Sequence, residues 1–217
     1  MQFTFFDPPS DIEDLAQFGV SKDTYIAQND PFYAECRAYG CIEENNQNGK
    51  IAVRCDGFTA VSAEYEEELA ATTFDVDTSE WDRPEQEYDW PIAARQPFRA
   101  IVKKLVRSKK RLSRVAQMRE DLLALHRMGI YVQDIREDNY MNGKLIDFSR
   151  SWTRPHSLLD PDIRSQDLIN KEIVGDFVAF DRMLREAGIR TRLNAWAGSN
   201  EINRLRSKIK KPDRYGF

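Results

Sequence analysis

The sequence predicts an α+β fold, because strand-like segments fill its first half and amphipathic helices its second. Two further observations define the class. Hydrophobic residues make up 41% and charged residues 31%, which describes a globular chain. Asn142-Gly143 lies between two short apolar runs, the strongest local signal for a tight β-hairpin, since a type I′ turn needs positive φ at both positions. At roughly 100–200 residues per domain, 217 residues allow one compact domain or one plus a small appendage.

The elements follow in order. Residues 7–31 are rich in turn formers and acids and read as irregular. A short helix is expected from Phe32 to about Tyr39, with Gly40 as its stop. Lys50 to Cys55 and Phe58 to Val61 read as strands around a turn at Asp56-Gly57. The acidic stretch 64–90 starts as a helix (Ala63 to Ala71) and continues as a loop, because Pro84 and Pro91 interrupt it. Phe98 to Val106 alternates as a strand. From about Ser113 to Met128, Val115, Met118, Leu122 and Leu125 share one helix face; Ser113 can cap the start and Gly129 ends it. Phe177, Phe180 and Leu184 mark a last amphipathic helix closed by Gly188, and Arg204 to Arg214 form a basic tail.

Charge is segregated. Eleven acids from Glu64 to Asp89 are opposed only by Arg83, whereas ten basic residues from Arg95 to Arg119 have no acid between them. Such blocks read as solvated faces that meet each other, with a partner-docking surface as the sharper alternative. No apolar run approaches the ~18–20 residues of a membrane span, and Met1 to Asp7 lacks the features of a secretory leader. Three cysteines and two histidines stand without ligand spacing, which excludes a disulfide scaffold and argues against zinc. The expectation is an intracellular protein, nuclear or cytoplasmic, with protein partners and no membrane. Nucleic acid is not an expected partner, although the basic tail could touch it.

The chemistry-bearing segment runs from Ile130 to Ser149. Pairing across Asn142-Gly143 brings Asn139 and Asp147 to one end of a two-stranded ribbon. Strict register sets Asn139 opposite Ile146, so Asp147 points to the other face unless pairing relaxes. Asp134 lies in the entering loop. A carboxylate plus an amide oxygen can hold magnesium, which takes its remaining ligands from water and substrate phosphate. A second carboxylate can accept a hydroxyl proton, and Arg136 can offset charge on a moving phosphoryl group.

Asp134-x-Arg136-x-x-Asn139 followed by Leu145-Ile146-Asp147-Phe148-Ser149 resembles the catalytic loop and magnesium motif of protein kinases and related small-molecule phosphotransferases. Leu125 to Ile130 is similar to the approach to that loop. Pro31 to Gly40 resembles the kinase helix whose glutamate pairs with a phosphate-binding lysine. The whole pattern is similar to a fungal kinase-like family that includes inner-kinetochore subunits, over roughly Phe3 to His156. The resemblance implies an incomplete small β lobe over 1–107 with an acidic insertion (64–90), a mainly helical large lobe over 108–188 and a basic extension over 189–217. It implies Asp134 as catalytic base, Arg136 as catalytic-loop cation, Asn139 and Asp147 as magnesium ligands, and Glu35 as the helix glutamate near the cofactor.

The departures are equally specific. Val132 and Gln133 replace the histidine and arginine before the aspartate, Ser149 replaces the glycine after Asp-Phe, and no Ala-Pro-Glu follows. None of the ten glycines stands within two or three residues of another, so there is no Gly-rich nucleotide loop. Before Glu35 the only lysine is Lys22, in what reads as a turn. Glu35 is therefore expected to be solvated and to lack a lysine partner. The expected function is a catalytically silent, pseudokinase-type interaction or scaffold component. The alternative is an ATP- and magnesium-dependent phosphotransferase acting on a protein or small-molecule hydroxyl; a third reading is a shortened form of a complete kinase-like protein.

Overall fold

The structure is a computed structural model that describes residues 19–72, 78, 82–108 and 110–190. The basic tail beyond Arg190 and part of the acidic stretch lie outside the described residues. Helix α1 (Lys22–Asn29) replaces the expected turn, because the Ser21 hydroxyl caps it by accepting from Thr24 N–H. Asp30 then caps α2 (Pro31–Glu44), its carboxylate accepting from Phe32 and Tyr33 N–H with Pro31 at the first position. The expected stop at Gly40 is overturned: α2 runs straight through it to Glu44.

The proposed hairpin at Asp56-Gly57 is also corrected. β1 (Cys55–Val61) passes through Gly57, where φ is +135° and the register shifts by a bulge. Its partner is β2 (Phe98–Lys103), antiparallel, with Phe58 opposite Ile101. Between them lies α3 (Ala63–Thr72). The segment before β1 turns away instead and joins the lower half, where Ala52 bridges Leu145 and Val53 N–H donates to Leu145 C=O at 2.8 Å.

The opposed charge blocks do meet. Buried Glu66 receives both Arg83 and Arg95, and Asp82 and Asp30 share Arg99. Burial pushes the Glu66 carboxyl up, but hydrogen bonds from Arg83, Thr78 and Arg95 outweigh it and hold the group below its ordinary range.

The lower half is built on α4 (Val115–Arg127) and α5 (Gln166–Glu186). Met118, Leu122 and Leu125 from α4 and Phe180 and Leu184 from α5 form one core with Ala38, Tyr39 and Ile42 of α2. Ser113 is not the cap of α4. Arg114 holds that position at φ +52°, and the Ser113 hydroxyl lies 3.3 Å from Asn142 Oδ1. β3 (Ile130–Tyr131) pairs with β6 (Trp152–Thr153), and β4 (Tyr140–Met141) with β5 (Lys144–Leu145) around Asn142-Gly143. The type I′ expectation holds, with φ of +51° and +77°. This turn is wedged under the segment leading into α4: Asn142 N–H donates to Lys110 C=O and Gly143 N–H to Arg111 C=O.

A Cβ at Gly143 would sit 2.3 Å from the Ser113 carbonyl oxygen. Gly143→Ala is therefore expected to cost at least ~1–2 kcal/mol from the positive φ alone, plus the backbone clash. A denaturation midpoint unchanged from the parent chain would contradict this packing.

Candidate functional site

Along β2, Arg99, Ile101 and Lys103 alternate onto the face turned toward α2. Arg99 reaches Asp30, and Lys103 reaches Glu35, which is completely buried. The expectation that Glu35 is solvated and has no lysine partner is thus overturned. The lysine comes from a strand that follows the helix in sequence rather than preceding it. Lys103 Nζ also donates to the Ile146 carbonyl at 2.7 Å, and Phe148 N–H donates to Glu35 Oε1 at 3.2 Å. The Phe148 ring packs edge-on against Tyr39, centroids 5.2 Å apart. Burial holds the Glu35 carboxyl above its ordinary pKa despite the ammonium beside it, and the Asp147 charge pushes the same way. Its second oxygen, Oε2, has no hydrogen-bond partner among the described residues.

The loop below is hung from α5. Asp176 accepts from Val132 N–H at 2.7 Å and from Gln133 N–H at 2.8 Å, and lies 2.8 Å from His126 Nε2. Gln133 takes φ +61°, a conformation that L side chains seldom adopt. His126 is packed between Tyr131 and Phe177, as a core histidine would be.

Beyond this anchor, Asn139 donates through Nδ2 to both the carbonyl and the Oδ2 of Asp134, at 2.9 and 3.0 Å. Arg136 Nε lies 3.3 Å from the same oxygen, with most of its side chain exposed. Ile146 N–H donates to Asn139 C=O, the expected register. The structure therefore gathers Asp134, Arg136 and Asn139 into one cluster. Asp147 is placed toward Glu35, accepts from Ser149 N–H at 2.8 Å, and has no hydrogen bond to Asn139. No group of three or more His, Cys, Asp or Glu side chains is placed to hold a metal among the described residues. No described helix is long and apolar enough to cross a membrane.

A family model described as kinetochore Sim4 complex subunit FTA2 matches residues 3–152. The chain belongs to this family. No curated protein and no solved structure matches it. The matched span takes in Glu35, Lys103 and the whole ribbon, whereas Asp176, which holds the loop in place, lies beyond it.

Lys103 and Asp176 are the site residues that sequence reasoning missed. Each carried a signal. Lys103 falls at an inward position of an alternating strand, and Asp176 interrupts the apolar face that Ile169, Phe177, Phe180 and Leu184 define on α5. A charge at a core position asks for a buried counterpart.

Proposed function

We propose that this chain is a protein-kinase-like interaction subunit of a nuclear kinetochore assembly, with a cleft that fastens its own parts together and transfers no phosphate. The observation that carries this reading is the bonding of Lys103, whose ammonium ties the helix glutamate to the carbonyl just before Asp147. The kinase-like part is supported by the succession of elements: a helix with a lysine-paired glutamate, a loop bearing Asp134 and Asn139, a hairpin, and Asp147-Phe148 with the phenylalanine against the helix. The assembly part is supported by the family, whose name is that of a Sim4 complex subunit at the kinetochore. Protein partners and a nuclear location follow from that reading.

The phosphotransferase reading is favoured by one observation, the nearness of Asp147 to the Lys103–Glu35 pair. Asn139 and Asp147 would be the residues to hold magnesium, which would supply positive charge against a nucleotide's phosphates. Asp134 would orient the acceptor hydroxyl and take its proton.

Two measurements test the proposal. Purified chain with ATP and magnesium is expected to show no phosphate release or transfer above that of Asp134→Ala; activity lost in that variant would establish the enzyme instead. A fluorescently tagged chain is expected at centromeric foci, and a diffuse distribution would remove the assembly reading.

A further inference from the structure

A cavity of about 380 Å³ opens between α2 and β1, beside Tyr39, whose ring centroid lies 5.4 Å from Lys103 Nζ. Ligand pockets run from roughly 300 to 1,000 Å³, so this one has room for an aromatic side chain together with the backbone that carries it. Its walls include Cys36, Tyr39, Gly40 and Glu43 from the helix, Phe58 from β1 and Ile101 from β2.

Gly40 is the informative wall residue. It lies inside a continuous helix, where glycine costs about 1 kcal/mol relative to alanine. A Cβ built on it meets nothing within 4 Å, and its φ is not positive. Neither backbone geometry nor internal packing requires a glycine there; whatever enters the cavity would.

Three further features describe the guest. Tyr39 is 95% buried (5% exposed), yet its hydroxyl has no hydrogen-bond partner among the described residues. Burial raises its pKa, so the wall it gives the cavity is a neutral ring. The Cys36 thiol is pushed up to about 11 by burial, and Cys55 is raised for the same reason, so both present protonated, weakly polar surface rather than thiolate. At the rim, exposed Glu43 has no ion pair among the described residues, whereas Asp56 is held by Arg54. Phe58 is 70% exposed beside them, an apolar flank for an incoming chain.

We propose that this cavity docks an aromatic side chain of a partner protein, presented next to a lysine or arginine. The aromatic ring fills the space left by Gly40, and the cation meets Glu43. The proposal rests on the reading above only in expecting a protein partner.

The test uses acetylated, amidated dipeptides titrated into isotopically labelled full-length chain, followed by the amide signals of Gly40 and Gly57. Phe-Arg is expected to shift both signals saturably. Phe-Glu should bind about fivefold more weakly, the scale of an exposed ion pair, and Ala-Arg should give no saturable shift. Gly40→Leu should abolish the response without lowering the melting temperature, because leucine is the better helix former and the space is open. A Gly40→Leu chain that still responds, or Ala-Arg binding as well as Phe-Arg, would overturn the proposal. So would saturation by benzyl alcohol with no gain from the arginine, which would assign the cavity to a small aromatic ligand. A chain that forms centromeric foci but ignores Phe-Arg sinks the docking assignment alone; a diffuse chain that binds it sinks the assembly reading alone.

Discussion

Replacing Lys103 with methionine is expected to destabilise the fold by about 3–5 kcal/mol, the usual loss when one partner of a buried ion pair is removed. Methionine matches the aliphatic stem, so little packing is lost. What remains is Glu35, completely buried, with its counter-charge gone and the Ile146 carbonyl without its donor. The double variant Lys103→Met, Glu35→Gln should recover most of the loss, because a neutral amide can still accept from Phe148 N–H. The effect also carries a pH signature. The folded-state pKa of Glu35 already lies above its ordinary value of 4.5 through burial. A carboxyl raised in this way favours folding below its unfolded value and loses that contribution as pH rises through the folded one. Removing the ammonium raises the folded value further, so the deficit should be smallest in mild acid and grow toward neutrality. Urea denaturation at pH 5 and pH 8 measures both; an equal deficit at the two values would show that Glu35 is not the group responsible.

Asp176→Ala is expected to have an effect of similar size by a different route. Two backbone N–H groups and one imidazole nitrogen turn to this one carboxylate, itself only 2% exposed. Each buried donor left without an acceptor costs about 1–3 kcal/mol. Gln133 would also lose the tether that holds its positive φ. Asp176→Asn keeps one acceptor but turns an NH₂ group toward a donor, so an intermediate loss is expected. Amide exchange distinguishes the mechanism: protection should fall first over residues 132–139 and only later in α4. Uniform loss of protection would mean that Asp176 supports the core generally rather than the loop.

Much of the lower half was legible in the sequence. Met118, Leu122 and Leu125 announced α4 by their period, Phe177, Phe180 and Leu184 did the same for α5, and Asn142-Gly143 gave the turn and register that place Asn139. Local signals failed where distant partners decided the outcome. Gly40 looked like a helix terminus, but buried Ile42 carries α2 past it into the core. Asp56-Gly57 looked like a turn, but pairing with Phe98–Lys103 forty residues on makes it a bulge. The Ser113 hydroxyl was drawn to the hairpin turn instead of the helix start. The Lys103–Glu35 pair was not legible because its lysine follows the helix instead of preceding it, and because side-chain alternation names a face without naming what lies opposite.

The tie through Lys103 joins groups 68 and 43 residues apart in sequence. A ribosome adding roughly 5–20 residues per second makes Glu35 about 3–14 s before its counter-ion exists, and Ile146 later still. The helix must therefore keep its carboxylate hydrated until then. The nascent chain can bury that charge only once the strand and the ribbon have both emerged.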